Sequence, residues 1–380
     1  MPVLLSTNRY DAALRRASGG IFSASMLTRT NSARETGKLV ATLLTGAWRR
    51  EPPSLDLPAS DFELIAPLLL QTGAGALGWW RVRESELGAS AVAEQMREAY
   101  RLYTLEARLN QSKIEKVFSL LRAAGVEPIL VKGWTAASHY PEQGLRPYGD
   151  IDICVRRQEF QSAGRALAVL DPRRFKLDLH SGFAKFGIRE EAELFARSQL
   201  VTIGETKIRV LKSEDQLRTV CYHFMREGAW RPLWLVDVAA ALEGRAQDFD
   251  WDYCLNEKQQ AAIVVSAIGL AQQLLGAEVD AIPRGQCFGK LPRWLAPTVL
   301  NEWGSRAPSM TSRHRVPMWG QLRRRKDILN GLRYRWPNPI EATTTMNAPF
   351  NDFPRLPFQI GNSLLRLGTF LTQLAKTQSK

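Results

Sequence analysis

Two aspartates separated by one apolar residue constrain this chain more than any other feature of its sequence. Asp150 and Asp152 lie in the run Gly149-Asp150-Ile151-Asp152-Ile153-Cys154-Val155, whose apolar end predicts a β-strand. Side chains two residues apart on a strand point to the same face, so the two carboxylates are expected side by side. Paired anions repel unless a cation neutralises them, and hard oxygen ligands combined with substrate phosphates favour Mg²⁺.

An Asp-x-Asp pair on the solvent side of an edge strand needs no metal, so the pair alone does not establish a metal site. The residues before the pair help to decide between the two interpretations. The sequence predicts a helix over residues 103–124, a stop at Gly125, a strand over residues 128–131, a turn at Lys132-Gly133, and a second helix toward Tyr140. A glycine turn between strand and helix lets the backbone approach a phosphate, and a helix N-terminus favours an anion. This order favours a metal and phosphate site.

A third carboxylate follows in the alternating segment Arg174-Phe175-Lys176-Leu177-Asp178-Leu179-His180. On a strand, Asp178 and His180 share one face, so Asp178 is expected beside the Asp pair in the next strand. A solvated strand face or an internal hydrogen-bonded pair explains Asp178 and His180 equally well from this segment alone. The spacing leaves these alternatives open, and the ordered set of motifs favours the site.

That ordered set resembles the uncharacterised bacterial nucleotidyltransferases of the DNA polymerase β-like superfamily. The likeness runs from about residue 35 to nearly the C-terminus. Its motifs are a Lys-Gly turn, an Arg-Pro-x-Gly-Asp-x-Asp strand, an Asp-x-His strand, and a helix carrying a His that precedes a Trp-x-x-Asp. In this chain they are Val131-Lys132-Gly133, Arg146 to Asp152, Asp178-Leu179-His180, Ser213 to His223, and Trp234-Leu235-Val236-Asp237.

The resemblance implies an α+β fold, with a small mixed-sheet nucleotidyltransferase core flanked by N-terminal and C-terminal helical regions. It implies transfer of a nucleoside monophosphate from a nucleoside triphosphate, ATP being favoured, to a hydroxyl of an acceptor, with release of pyrophosphate. A peptide, a protein or a small molecule is favoured as the acceptor. The metal ligands would be Asp150, Asp152 and Asp178, holding Mg²⁺ or Mn²⁺.

The same resemblance gives roles to four more residues. Lys132 and Arg146 would stabilise phosphate charge, and the Gly133 backbone would cradle it. His180 would orient Asp178, move the acceptor proton, or simply pack. Two alternatives stay open. The first is a fold that has lost catalysis and serves as a binding or scaffold protein, which is supported by the Lys132-Gly133-Trp134 turn where superfamily enzymes carry Gly-Ser or Gly-Gly. The second is a nucleotidyltransferase that acts on RNA or tRNA.

We expect four regions along the chain. These are a mobile basic N-terminal arm over 1–34, a helical region over 35–126, the nucleotidyltransferase core over 127–212, and a helical C-terminal region over 213–380. Charge is localised: the whole net charge of +13 comes from residues 1–50, with eight Lys or Arg against two acids, and the basic segment 301–340, with nine against two. That segment could hold nucleic acid, an acidic peptide or a membrane surface, and a solvated helix face is favoured.

Composition indicates the class of protein. A 45% hydrophobic and 23% charged content is typical of a globular protein, and no apolar run reaches the roughly 20 residues of a membrane span. The first residues lack the sustained apolar core of a signal peptide. Four scattered cysteines indicate buried thiols, and we expect a cytoplasmic protein without a membrane span.

Overall fold

The computed structural model describes residues 32–183, 190–279, 291–305 and 336–378 of the 380-residue chain. The predicted N-terminal arm, apart from its last three residues, lies outside these ranges. So does most of the predicted basic segment 301–340. Cys287, the fourth predicted buried thiol, also lies outside them.

A helical layer precedes the sheet. Its helices are α1 (Ala33–Leu44), α2 (Ala59–Thr72), α3 (Gly75–Val82) and α4 (Ala91–Ala123). The helical pattern from Ser60 to Trp80 predicts one helix in this region. This prediction is wrong, because Gly73 ends α2 in the left-handed conformation at φ 76° and α3 begins two residues later. Helix α4 begins after Ser90, whose hydroxyl accepts a hydrogen bond from the Ala93 amide.

The described residues form a five-stranded mixed sheet with strand order β3-β2-β1-β5-β4. The strands are β1 (Ile129–Val131), β2 (Ile151–Val155), β3 (Leu177–Ser181), β4 (Gln199–Ile203) and β5 (Thr206–Val210), interspersed with helices α5 (Trp134–Ala137), α6 (Phe160–Leu167) and α7 (Glu191–Arg197). Strands β2 and β3 run parallel, as do β1 and β5, and the other two pairs are antiparallel. The sequence predicts a hairpin of residues 200–204 and 206–211 around Gly204-Glu205, and β4 and β5 confirm it.

The alternation along β2 decides which side chains reach each face of the sheet. Ile151, Ile153 and Val155 pack on one face against α4 and α6, in a core that includes Phe118. The other face of β2 carries Asp152 and the buried Cys154, which packs in a smaller cluster with Phe183. The side chains of β2 on one face are therefore all apolar, and the other face carries Asp152 near the start of the strand.

Helices return after the sheet. They are α8 (Ser213–Arg226), α9 (Pro232–Glu243), α10 (Trp251–Leu255), α11 (Lys258–Leu275), α12 (Leu295–Gly304), α13 (Pro339–Thr345) and α14 (Leu356–Gln378). The largest apolar core contains residues of α1 to α4 together with residues of α8 to α13, from Val40 to Ile340. The two helical regions that flank the sheet in sequence thus share one core in space.

Three further expectations can be compared with these elements. The predicted helix toward Tyr140 is only the single turn α5, so a helix N-terminus contributes little at this point. The proline-bearing stretches from Pro283 to Pro297 and from Pro337 to Pro357 predict connections and short helices. Helix α13 fits this prediction, whereas α14 spans 23 residues. Cys154, Cys221 and Cys254 are buried free thiols, as predicted. Among the described residues, no helix combines the length and apolar character that crossing a membrane requires.

Candidate metal centre

Asp152, Asp178 and His180 form the centre of the candidate site. Parallel pairing of β2 with β3 places Asp152 opposite Asp178, and His180 follows two residues later on the same face. The His180 imidazole lies between the carboxylates, its Nε2 3.3 Å from Asp152 Oδ1 and 3.2 Å from Asp178 Oδ2. One ligand atom from each residue lies within 4.8 Å of the others. The predicted approach of Asp178 to Asp152 is confirmed.

Exposure differs across these three side chains. The Asp178 side chain is 56% exposed, Asp152 is 16% exposed and His180 is 4% exposed. Burial lowers the pKa of His180, but its hydrogen bonds to both carboxylates and their negative charges outweigh burial and raise that pKa above its usual value. The His180 imidazole is therefore enclosed by protein, whereas the Asp178 carboxylate is open to solvent.

Asp150 lies just outside this group, at the residue before β2. Although the residue is exposed to solvent, neighbouring protein atoms crowd its carboxyl group and raise its pKa, and the charges of Asp152 and Asp178 raise it further. Asp150 is thus close enough for the charges of Asp152 and Asp178 to act on its carboxyl group. The sequence predicted Asp150, Asp152 and Asp178 as metal ligands, whereas the structure groups His180 with Asp152 and Asp178.

The turn after β1 brings a cation to the carboxylates. Lys132 and Gly133 both adopt positive φ, at 55° and 43°, and the Lys132 Nζ lies 3.9 Å from Asp152 Oδ1. Register explains this placement, because Val131 pairs with Asp152 across the antiparallel β1–β2 ladder and Lys132 follows directly. A Cβ at Gly133 would lie 3.3 Å from the Asp150 carbonyl oxygen, so the turn packs closely against the start of β2.

Arg146 is held by a carboxylate of helix α9. Its Nη2 lies 2.7 Å from Asp237 Oδ2, and its Nε donates to Asp237 Oδ1 at 3.1 Å. The Tyr140 hydroxyl donates to the same Oδ1 at 2.8 Å. Burial lowers the pKa of Arg146, but Asp237 outweighs it and raises that pKa above its usual value. The contact of Arg146 and Tyr140 with Asp237 joins the loop before β2 to helix α9.

The other side of that loop is fixed to helix α4. The buried Asn110 side chain donates from Nδ2 to the Tyr148 carbonyl oxygen at 2.8 Å, and the Thr104 hydroxyl donates to the Gln143 carbonyl oxygen at 2.9 Å. Helices α4 and α9 thus hold the loop from both sides. Because β2 begins three residues after Tyr148, these contacts also set the position of Asp150 and Asp152.

Helices α8 and α9 contribute a basic and aromatic surface. The His223 ring contacts Trp234 at 4.4 Å between centroids, and the Arg231 guanidinium lies 5.6 Å from the Trp234 ring. Burial lowers the pKa of His223 well below its usual value, and the positive charges of Lys132 and Arg146 lower it further, as do those of Arg231 and Arg226. His223 is therefore neutral at neutral pH, in positive surroundings.

Reasoning from the sequence identified the carboxylates but missed the partner of Arg146 and the role of Arg231. The Trp-x-x-Asp motif was the sequence signal for the partner of Arg146, since Trp234 and Asp237 lie one helical turn apart on one face of α9. Arg231 is the N-cap residue of α9 and precedes Trp234 by three residues, so local helix spacing places it beside that ring.

The donor set fits a divalent cation. Carboxylate oxygens suit Mg²⁺ and Mn²⁺ alike, and an imidazole is a common ligand of transition-metal ions. The exposure of Asp178 leaves the site open to solvent and substrate. Lys132 reduces the net negative charge of the two carboxylates.

Comparisons with known proteins found one solved structure and one family model that match this chain. A solved structure similar to part of the chain is an antigenic nucleotidyltransferase-like protein from Paracoccidioides brasiliensis, 13% identical, covering 49% of this chain and 95% of that one with a TM-score of 0.31. No curated protein matches. Residues 58–276, more than half of the chain, match the model of an uncharacterised nucleotidyltransferase family. This span contains every residue of the candidate site, and the chain belongs to that uncharacterised nucleotidyltransferase family.

Proposed function

We propose that this protein is a metal-dependent nucleotidyltransferase with a DNA polymerase β-like core. It transfers a nucleoside monophosphate from a nucleoside triphosphate, preferentially ATP, to a hydroxyl of a peptide, a protein or a small molecule. Pyrophosphate is the second product. The observation that carries this proposal is the convergence of Asp152, Asp178 and His180 ligand atoms within 4.8 Å, in a chain of this family.

The chemistry needs a bond to form at the α-phosphorus and another to break. The acceptor oxygen attacks the α-phosphorus, the bond to the bridging oxygen of the β-phosphate breaks, and pyrophosphate leaves with that electron pair. Asp178 is the most exposed of the three site residues, and its carboxylate accepts the proton of the acceptor hydroxyl. The His180 Nε2 lies 3.2 Å from Asp178 Oδ2 and positions that carboxylate, and the same nitrogen would become a ligand when a cation is bound. Asp152, Asp178 and His180 would hold a divalent cation, which would neutralise phosphate charge and lower the pKa of the acceptor hydroxyl.

Binding the triphosphate is assigned to the turn and to the basic surface beside it. The Lys132 amine, next to Asp152, supplies positive charge to the phosphates, and the Gly133 backbone approaches them. Arg146 supports triphosphate binding indirectly, because its guanidinium is paired with Asp237 and holds the loop that carries Asp150. Because the His223 ring is neutral, the positive charge of that surface comes from Lys132, Arg226 and Arg231. The Arg231 Nε also donates to the Thr72 carbonyl oxygen.

Calorimetry with the four nucleoside triphosphates, each with Mn²⁺ or Mg²⁺, tests this proposal. We expect wild-type protein to bind at least one of them only with metal, and Asp152→Asn to reduce that binding at least tenfold. This variant keeps the side-chain shape while removing the charge that attracts a cation. Asp56→Asn is the matched control, since Asp56 is an exposed aspartate outside the site. It is expected to bind like wild type.

Three outcomes would contradict the proposal. Wild-type protein that binds no triphosphate under any metal condition would favour a fold that has lost catalysis. Binding that survives Asp152→Asn unchanged would move the nucleotide site elsewhere. Turnover that yields orthophosphate and a nucleoside diphosphate, followed by phosphorus NMR, would show attack at the γ-phosphorus and exclude nucleotidyl transfer.

A further inference from the structure

Helix α14 packs against the rest of the protein through its polar side. Asn362 is 1% exposed, and the Gln359 side chain donates from Nε2 to the Pro337 carbonyl oxygen at 2.8 Å. Arg366 forms an ion pair with Glu341 of helix α13. A helix on a globular protein ordinarily buries its apolar side, so this arrangement is inverted.

The outward side of α14 is apolar. Leu356, Ile360, Leu364 and Leu367 are spaced by four, four and three residues, which places them within about 80° of one another around the helix axis. Their exposed fractions are 56%, 45%, 62% and 49%. We call these four residues the apolar stripe. Exposed apolar side chains aligned on one face mark an interaction surface.

Two exposed aromatic residues lie near the beginning of α14. Phe353, three residues before the helix, is 56% exposed, and Trp336, next to the Pro337 that Gln359 contacts, is 46% exposed. Tryptophan has an apolar body and a polar N–H, which favours the boundary between an apolar phase and water. The aromatic pair thus extends the apolar surface in a form suited to a lipid boundary.

The charge of the sequence around the stripe decides between a lipid surface and a second copy of the chain. Residues 313–335, which lead directly into Trp336 in the sequence, contain eight Lys or Arg against one acid. Residues 336–380 contain four Lys or Arg against two acids, with Arg355 buried and Arg366 paired with Glu341. Two copies meeting through this stripe would bring like charges together. Anionic headgroups complement the same charges.

We propose that the apolar stripe of α14 lies on an anionic lipid surface, with the helix axis parallel to that surface and Trp336 and Phe353 at headgroup level. This is binding at the surface without crossing it. The proposal stands apart from the nucleotidyltransferase assignment, since none of its residues belongs to the metal centre.

Cosedimentation of the full-length protein with vesicles tests it. We expect the protein to pellet with vesicles of phosphatidylcholine and phosphatidylserine, and to pellet several-fold less with phosphatidylcholine alone. The double variant Leu356→Glu and Leu364→Glu is expected to lower the partition coefficient about 100-fold, because each leucine moved into an apolar phase contributes at least about tenfold.

Leu105→Glu is the matched control. Leu105 is 59% exposed on helix α4, comparable to Leu364, and does not belong to the stripe. It is expected to bind vesicles like wild type. Far-UV circular dichroism and melting temperature establish that all variants are folded, which the exposure of these leucines favours.

Several results would overturn the proposal. Wild-type protein that stays in the supernatant with anionic vesicles would do so, as would equal binding to neutral vesicles. Binding that is unaffected by the double variant, or equally reduced by Leu105→Glu, would remove the stripe from the interaction. A lipid-free dimer by light scattering that dissociates in the double variant would assign the stripe to a second copy of this chain.

Discussion

Lys132 accepts an unfavourable backbone conformation beside the carboxylates. Its φ of 55° lies in the left-handed region, which costs a residue with a Cβ about 1 kcal/mol or more. The same residue places its amine 3.9 Å from Asp152. Because glycine would adopt this conformation without strain, the lysine indicates that the amine is needed there.

Replacing Lys132 with glycine should therefore separate stability from activity. Relief of backbone strain and the greater entropy of an unfolded glycine largely cancel, so the free energy of unfolding should change by less than about 1 kcal/mol. Triphosphate turnover should fall at least tenfold, because a charge-assisted contact worth about 1.5 kcal/mol or more is lost. Urea titration and a pyrophosphate-release assay measure the two effects.

Asn347→Gly is the control for that variant. Asn347 also has a positive φ, 53°, but lies after helix α13 and outside the metal centre. It should give a similarly small change in stability with unaltered turnover. If Lys132→Gly kept full turnover, the lysine would have no part in binding phosphate.

Arg146 illustrates a residue whose predicted role changes once its partner is known. Removing one member of a buried ion pair leaves the other charge without compensation, at a cost of about 3–5 kcal/mol. Arg146→Ala and Asp237→Leu should each destabilise the protein by that order. The double variant should cost less than the sum, since the two side chains share one interaction.

A double-mutant cycle in urea measures this coupling. Arg146→Lys keeps the positive charge but loses the two-pronged contact, and it should have an intermediate effect. An Arg146→Ala protein with unchanged stability and a raised triphosphate requirement would return Arg146 to direct phosphate binding.

The β1–α5 turn is the element on which the site depends most. Gly133 has φ 43° and ψ −106°, a combination that residues with a Cβ scarcely adopt, and a Cβ there would press on the Asp150 carbonyl oxygen at 3.3 Å. Gly133→Ala should destabilise the protein by about 1–3 kcal/mol and shift both Lys132 and the start of β2. Metal-dependent triphosphate binding should weaken more than stability alone explains.

Gly164 provides the comparison. It lies within helix α6, and a Cβ at this position would contact nothing within 4 Å. Gly164→Ala should stabilise the protein by about 0.5–1 kcal/mol and leave binding unchanged. Both variants can be followed by thermal melting and calorimetry. Equal effects of the two substitutions would show that the Gly133 conformation is not required.

Strands were easier to predict than helices at this scale. The two-residue alternation of Asp178 and His180 is a local pattern, and it placed them correctly on one face of β3. The break after Thr72 was missed because apolar residues continue on both sides of Gly73, from Leu68 to Leu70 and from Ala76 to Trp80, which hides where one helix ends. The pairing of Arg146 with Asp237, 91 residues away in sequence, follows from packing that no local pattern carries.

Across the whole molecule, the cores do not follow the order of regions along the sequence. One core joins the helices before and after the sheet, from Val40 to Ile340. A second core joins the sheet to helix α4, through side chains that include Ile114, Phe118 and Leu121. The C-terminal half of helix α4 thus packs with the sheet, whereas its N-terminal half packs in the first core through Ala93 and Met96.

This arrangement predicts which fragment can fold. Residues 127–212 include every strand but lack α4, so the apolar face of β2 would be exposed to water. Residues 91–212 contain all members of the second core. We expect the longer fragment to unfold cooperatively in urea and the shorter one to show no transition, since burying each large apolar side chain contributes about 1.5–3 kcal/mol.

Phe118→Ala in the longer fragment separates the contribution of packing from that of chain length. Phe118 is fully buried, so its truncation should cost about 3–5 kcal/mol, enough to unfold a marginal fragment. Leu109→Ala, at an exposed position of the same helix, should leave the transition in place. A cooperative transition in residues 127–212 alone would show that the sheet is stable without α4. Dispersed amide resonances only in the longer fragment would establish α4 as the structural support of the strands that carry Asp152 and Asp178.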